Sequence, residues 1–353
     1  MKVLTIVGAR PQFIKAAVVS RAFNEHRPDV EEVIVHTGQH YDANMSDVFF
    51  EELDIPRPDY NLGIGGGTHG QNTGRMIEKL EGLMLDVRPD WVLVYGDTDS
   101  TLAGALAASK LHIRVAHVEA GLRSFNRRMP EEINRLLTDH IADLLLAPTE
   151  SSHRNLINEG VSPDKIEIVG DVMYDAALFY KEKAQKPSFS EELAIQGGDF
   201  VLCTIHRAEN TDNQHRLSNI FQGLGHSDEL IILPIHPRTK AKLLDFKISV
   251  PENIRMVDPV GYLEMVWLEA NCRCVATDSG GVQKEAYFHE KRCVTLRKET
   301  EWIELLTHGV NDLVDADEKL IADALRNQES RSFSKGIYGS GNAGEVLTRL
   351  IHQ

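Results

Sequence analysis

Cysteine is scarce in this 353-residue chain: Cys203, Cys272, Cys274 and Cys293 are the only four, and no two form a C-x-x-C pair. That spacing argues against a disulfide or zinc framework and for buried free thiols in a reducing compartment. Cys272 and Cys274 are expected on the same face of one strand. No stretch reaches the roughly 20 apolar residues of a membrane span. Met1 leads into the strand-like Val3-Leu4-Thr5-Ile6-Val7 without a basic leader region. A soluble, cytoplasmic protein with no membrane partner is expected. Positive charge is in deficit too, with a formal net charge of −15. This speaks against a nucleic-acid partner, because phosphate backbones are bound by basic surfaces. It leaves room for a small anionic ligand held by a few local cations.

Several motifs are missing as well. There is no G-x-G-x-x-G, so a nicotinamide cofactor is not indicated, and no Walker A loop. The G-x-S-x-G elbow of a Ser-His-Asp hydrolase is absent. His36 and His40 have the spacing of a helical pair, but Thr37-Gly38 breaks the helix between them. No H-E-x-x-H accompanies them, so no metal site is assigned.

What the chain does have is 42% hydrophobic and 26% charged residues, a globular profile, and length enough for two domains. Short apolar runs alternate with amphipathic, helix-length segments from end to end. Strands are predicted at Lys2–Val7, Glu32–His36, Trp91–Tyr95, Val115–Val118, Leu144–Ala147 and Ile166–Val169. Helices are predicted at Pro11–Glu25, Ser100–Lys110 and Glu131–Ile141, with Pro11 suited to a first turn. The second half repeats the rhythm, with strands at Phe200–Thr204, Leu230–Ile235, Ile254–Met256, Cys274–Thr277 and Cys293–Leu296. The fold class is therefore α/β, with two doubly wound parallel sheets covered on both faces. The less periodic Tyr180–Gly198 lies between the halves, and the boundary is placed within Met173–Gln196. The predicted domains are 1–172 and 173–333, followed by a loop and last helix in 334–353. That helix could close the second domain or cross back to the first.

Ligands of doubly wound sheets bind at the carboxyl ends of the strands, and the unusual polar clusters fall there. They are Gly8-Ala9-Arg10-Pro11 with Lys15, Gly96-Asp97-Thr98, Glu119-Ala120-Gly121-Leu122-Arg123, His206-Arg207-Ala208-Glu209-Asn210, and Asp278-Ser279-Gly280-Gly281. Together they describe a cleft between two facing domains. Ser279-Gly280-Gly281 before a Val282–Phe288 helix suits a phosphate seat, the plainer alternative being a Gly-rich turn and cap. Gly65-Gly66-Gly67 follows no convincing strand and reads as a loop. Asp97 alone could be a helix N-cap, and Glu131 could simply open its helix. Glu119, ending a strand, is harder to assign to structure. His206 suits either an acid–base group or a structural hydrogen bond.

These strings resemble the non-hydrolysing UDP-N-acetylglucosamine 2-epimerase family. Thr37-Gly38-Gln39-His40, His117-Val118, Pro130-Glu131-Glu132-Ile133-Asn134-Arg135, Gln283-Lys284-Glu285, Arg297 and Thr300-Glu301 extend the resemblance in order along the chain. It implies two Rossmann-like domains in the GT-B arrangement, a homodimer, a last helix returning to the first domain, no cofactor and no essential metal. Asp97, Glu119, Glu131 and His206 are the implied catalytic residues. Arg10, Lys15, Arg207, His236, Ser279, Gly280, Gly281, Glu285 and Arg297 are the implied contacts to the UDP-linked sugar. The chain departs from the family pattern at two places, Gln12 in place of a glutamate and Trp302-Ile303 in place of Arg-Pro. These look like the branch acting on UDP-2,3-diacetamido-2,3-dideoxy-glucuronate. Gln12, beside Arg10 and Lys15, removes a negative charge near the expected sugar site, which would favour a substrate carrying an extra carboxylate.

The implied reaction inverts C2 of the sugar. C2 is not beside a carbonyl, so its proton becomes removable only as UDP leaves C1 and positive charge develops there. The resulting glycal takes a proton on the other face, and UDP returns. Cations for the leaving diphosphate and acid–base groups near C2 are required. A hydrolysing epimerase, a GT-B glycosyltransferase and an inactive nucleotide-sugar sensor are the competing functions.

Overall fold

The protein is described from a computed structural model, over residues 1–38, 50, 53–193, 195–334 and 336–352. Gln39 and His40 lie outside these residues. Chain contacts divide it into two units, Met1–Ala176 with Lys335–Gln353, and Ala177–Ser334.

In the first unit seven parallel strands stand in the order β3-β2-β1-β4-β5-β6-β7. They are β1 Lys2–Val7, β2 Glu31–His36, β3 Tyr60–Asn61, β4 Trp91–Tyr95, β5 Arg114–Val118, β6 Leu144–Ala147 and β7 Ile166–Ile168. The predicted strands are present to within a residue or so at each end, and the two-residue β3 was too short for any periodicity to show. Val3, Leu4, Ile6 and Val7 are buried, as strands covered on both faces should be. Helices Arg10–His26, His69–Val87, Asp99–Lys110, Pro130–Ile141 and Glu150–Asn158 connect them.

The C-terminal helix Ala343–Leu350 packs on Arg10–His26 within this unit. Arg27 ties it down, its Nη1 donating to the carbonyls of Thr348 (3.2 Å) and Ile351 (2.9 Å). The indole of Trp91 donates to the His352 carbonyl at 2.8 Å.

The second unit holds six parallel strands in the order β10-β9-β8-β11-β12-β13. These are β8 Val201–Thr204, β9 Ile231–Pro234, β10 Ile254–Val257, β11 Cys274–Thr277, β12 Arg292–Thr295 and β13 Asn311–Leu313. Their side chains divide between two cores. Val201, Cys203, Ile231, Leu233 and Ala276 pack on one face, and Leu202, Ile232 and Val275 on the other. The two-residue alternation explains why these strands read as unbroken apolar runs.

One expectation is corrected here. Cys272 does not share a strand with Cys274, because it caps the helix Tyr262–Asn271 and β11 begins only at Cys274. All four cysteines are buried and free. Among the described residues no helix is long and apolar enough to cross a membrane.

Candidate active site

Strand order reverses between β1 and β4 in the first sheet and between β8 and β11 in the second. These are the switch points at which doubly wound sheets leave a crevice for a ligand. Each unit carries its unusual polar residues at its own switch point.

In the first unit the chain leaves β1 through Gly8-Ala9 and enters the helix Arg10–His26, with Pro11 in the first turn and Ala9 as an extended N-cap. Arg10 is half-buried at the start of that helix. Gln12 does not face a ligand. Its Oε1 accepts from Gly8 N (2.7 Å) and Ala9 N (3.0 Å), while its Nε2 donates to Tyr95 O (2.6 Å) and to Thr98 and Thr101 Oγ1 (3.0 Å each). The buried carboxamide locks the turn after β1 to the turn after β4. The position requires both a donor and an acceptor, whereas a carboxylate offers only acceptors. The inference that Gln12 changes charge beside the sugar therefore loses its premise.

Lys15, on the same helix, pairs with Glu119. Both side chains are largely buried, at 11% and 8% exposure. Glu119 follows β5 directly and holds φ +70°, a left-handed conformation that non-glycine residues seldom adopt and that clusters at functional sites. Gly96 (φ +62°) lies against this pair: a Cβ there would stand 3.5 Å from Glu119 Oε2 and 3.6 Å from Lys15 Nζ.

Asp97 is not the helix cap. Thr98 is the N-cap of Asp99–Lys110, accepting from Thr101 N at 3.3 Å, and the Asp97 carboxylate pairs with Arg135 instead. Glu131 stands exposed in the first turn of Pro130–Ile141, while its neighbour Glu132 is buried. Glu132 accepts from Ser124 N, Ser124 Oγ and Phe125 N, each at 2.9 Å, and pairs with Arg135 at 2.7 Å. Burial pushes the Glu132 carboxyl up, but these donors and Arg135 outweigh it and hold it below its ordinary value.

Behind these groups runs a buried network that sequence reasoning missed. His117 places Nε2 2.7 Å from Gly96 O and Nδ1 2.6 Å from Asp139 Oδ1. Asp139 also accepts from Gly121 N (3.1 Å) and Arg123 Nη1 (2.7 Å), and Arg123 continues to Glu159 at 2.6 Å. Burial alone would raise the Asp139 carboxyl, yet His117 and Arg123 bring it below its ordinary value. The network fixes the turns bearing Gly96 and Glu119. A second omission is His69, whose Nδ1 lies 2.9 Å from the buried Asp99, while Asn134 Nδ2 bridges Asp99 and the Asp97 carbonyl. No sequence motif marked His69, which follows the three glycines.

In the second unit β8 leads through Ile205 to His206, an exposed imidazole, and to half-buried Arg207. Asp278, directly after β11, is fully buried and organises this turn. It accepts from His206 N (3.1 Å), Arg207 N (3.1 Å) and Asn210 Nδ2 (3.0 Å), and lies 3.3 Å from His206 Nδ1. The motif string contained Asp278, but no role was assigned to it. An acid placed directly after an apolar strand was the available signal.

Ser279 is the N-cap of a helix that starts at Gly280, two residues earlier than predicted, because its Oγ accepts from Val282 N at 3.4 Å. Gly280 and Gly281 therefore form the first turn, where N–H groups point out of the helix toward any anion. A Cβ on Gly280 would collide with the Glu301 carboxylate. Trp302 braces the same turn by donating from Nε1 to Gly280 O at 2.8 Å, and the Lys284 ammonium lies 4.2 Å from its ring centroid. Trp302 is therefore a packing element of the helix start. Arg297, buried after β12, pairs with Glu301 at 2.9 Å. Glu285 is half-buried one turn along the helix. His236 follows β9 and caps Pro237–Asp245, exposed and accepting from Arg238 N at 3.2 Å.

Comparison with known proteins agrees with this arrangement. Residues 22–352 match the family model described as UDP-N-acetylglucosamine 2-epimerase. The UDP-2,3-diacetamido-2,3-dideoxy-D-glucuronate 2-epimerase of Pseudomonas aeruginosa is 53% identical over 358 residues, 99% of each chain. The UDP-N-acetylglucosamine 2-epimerase of Methanocaldococcus jannaschii is 47% identical over 365 residues, 99% of each chain. A crystal structure of the M. jannaschii UDP-GlcNAc 2-epimerase in complex with UDP-GlcNAc and UDP superposes with a TM-score of 0.88 at 44% identity, covering 99% of both chains. That of the Neisseria meningitidis enzyme bound to UDP-GlcNAc gives 0.87 at 30% identity, again with 99% of each covered. The chain belongs to the UDP-N-acetylglucosamine 2-epimerase family.

Proposed function

We propose that this protein is an isomerase that inverts C2 of a UDP-linked N-acetylated sugar by elimination and re-addition of UDP, without net hydrolysis, for surface-polysaccharide synthesis. The observation that carries the reading is the Lys15–Glu119 pair at the first switch point. It puts a carboxylate able to move a proton beside a cation able to meet developing negative charge. Asp97, Glu119, Glu131 and His206 are the acid–base candidates. Arg10, Lys15, Arg207, His236 and Arg297 supply polar contacts to the sugar and diphosphate. The capped helix start at Ser279-Gly280-Gly281 suits the diphosphate, and Glu285 the ribose.

Turnover in deuterium oxide tests the reaction. Deuterium at C2 of the epimerised UDP-sugar is expected, with no free sugar accumulating. Full epimerisation without deuterium at C2 would sink the mechanism, and release of free sugar with UDP would favour a hydrolysing enzyme.

Two substrates remain in view. The 53% identity to the P. aeruginosa protein supports the diacetamido-glucuronate over plain UDP-N-acetylglucosamine, now without help from Gln12. Comparing kcat/KM for the two purified substrates decides between them. We also read the protein as a cytoplasmic homodimer. Ile133 and Leu137 are exposed one turn apart on Pro130–Ile141, and Phe125 is exposed just before that helix. Such an apolar stripe suits a second copy of the chain.

A further inference from the structure

The first sheet carries a second pair of proton-holding groups besides Lys15 and Glu119. β3 leads into the helix His69–Val87 and β4 into Asp99–Lys110. β3, β2, β1 and β4 all run parallel, so both helices begin at the carboxyl edge, where Asp97 and Glu119 stand. The two helices pack against each other, and at their starts His69 Nδ1 lies 2.9 Å from Asp99 Oδ2.

The members of this pair differ in exposure. The Asp99 side chain is 5% exposed, whereas the His69 ring is 70% exposed. The other Asp99 oxygen, Oδ1, accepts from Asn134 Nδ2 at 3.1 Å, and the same nitrogen donates to the Asp97 carbonyl at 3.0 Å. One carboxamide thus links the Asp99–His69 pair to the turn bearing Asp97. Neither residue is needed as a helix cap, because Thr68 and Thr98 fill those positions. An ionised carboxylate only accepts, so Asp99 takes the Nδ1 proton and leaves the lone pair of a neutral ring on Nε2. No described residue bonds that nitrogen. The result is a base held in one tautomer by a fixed acceptor, the arrangement that orients catalytic imidazoles.

Inversion of C2 takes a proton from one face and returns one to the other. The helix of His69 follows β3 and Glu119 follows β5, on opposite sides of the β1–β4 switch point in the strand order. We propose that His69 is a further catalytic residue of the epimerisation, serving one face of C2 through Nε2 while Glu119 serves the other. The proposal rests on the epimerase reading above. In one direction Glu119 takes the C2 proton, the C–H pair becomes the C1–C2 double bond, and the C1–O pair leaves with UDP. The His69 imidazolium then gives its proton to C2 from the other face, and a UDP oxygen re-forms the bond to C1. In the opposite direction the neutral ring takes the proton and protonated Glu119 returns one. Water resets both groups between turnovers.

The test follows deuterium at C2 in deuterium oxide, starting separately from UDP-N-acetylglucosamine, from UDP-N-acetylmannosamine, and from each member of the diacetamido-uronate pair. Wild type should interconvert one pair or both, with label at C2. His69→Asn, a change at an exposed ring, should fold and epimerise about 10²–10⁴-fold more slowly, the range for loss of a general acid or base. It should still exchange the C2 hydrogen of one epimer, the one whose proton Glu119 takes, without inverting it. Glu119→Gln should show the mirror pattern and exchange only the other epimer. Wild-type turnover by His69→Asn overturns the proposal. So does equal loss of exchange from both epimers, the mark of a merely structural role, or exchange of the same epimer by both variants. If wild type epimerises neither pair, the epimerase reading fails and takes the proposal with it.

Discussion

Lys15 and Glu119, 104 residues apart in sequence, meet as an ion pair at the carboxyl edge of the first sheet. Glu119 holds a left-handed backbone while doing so. Strain of this kind persists only where the surroundings over-determine it. Here Gly96, itself at φ +62°, lies beside the pair, and the His117–Asp139 network behind it fixes the turns on either side.

Glu119→Gln is expected to keep the fold and UDP affinity and to lower turnover by about 10²–10⁴-fold, the range for removing a general acid or base. Lys15→Met should lower turnover too, since it removes the cation beside this mostly buried carboxylate. Steady-state kinetics with circular dichroism checks both. Wild-type rates for Glu119→Gln would remove this residue from the mechanism.

Asp139→Asn should destabilise the protein by about 3–5 kcal/mol, as loss of one partner in a buried charge network does, although Asp139 touches no proposed substrate atom. Its folded carboxyl lies below the ordinary value. That contribution is therefore present above about pH 4 and lost as pH falls through the depressed value. Urea titrations of wild type and variant should differ most near neutrality and converge in acid. A constant gap down to pH 2 would rule out this assignment.

Most strands, and the polar loops at their carboxyl ends, were legible in the sequence, because strands covered on two faces, such as Val201–Thr204, are largely apolar; the strand order that makes two of those ends switch points was not. Short edge strands were not, since two residues at Tyr60–Asn61 show no period. Motif strings located the site, but not the partners within it. The Arg135 that meets Asp97 is 38 residues further along the chain, and nothing local marks such a pairing. Gln12 illustrates the opposite error. A substitution beside Arg10 invited a charge argument, whereas the side chain points into the core and serves five backbone and hydroxyl groups.

Asp278 ties the His206 turn to the start of the Gly280–Phe288 helix through backbone N–H groups. Asp278→Ala would leave those donors unpaired in a buried setting, so a loss of about 2–4 kcal/mol is expected. Kcat should fall with it, because His206 loses its anchor. Asp278→Asn keeps an acceptor oxygen and should retain more stability than activity. Equal stability of Asp278→Ala and wild type in chemical denaturation would show that solvent replaces the carboxylate.

The last prediction concerns the C-terminal helix. Asp175 Oδ2 accepts from Gly344 N at 2.9 Å, near the start of Ala343–Leu350, while its Oδ1 is buried without a partner. Burial raises this carboxyl from 3.8 to about 6, against the lowering effect of the Gly344 and Ala343 N–H groups and with a further push from Asp171. A raised value means that the folded protein holds the proton more tightly than the unfolded chain. The associated stability is complete below the ordinary value and is lost as pH rises through about 6. A shift of about two units corresponds to about 3 kcal/mol. Asp175→Asn keeps an acceptor for Gly344 and cannot ionise, so its advantage over wild type should grow between about pH 4 and 6 and then level off. Taking the difference between the two proteins cancels every other titrating group. Hydrogen exchange of residues 343–350 should show the helix opening more readily at pH 7 than at pH 5 in wild type, and equally at both in the variant once intrinsic exchange is corrected. Parallel pH profiles for the two proteins would refute the role of Asp175 in holding the helix.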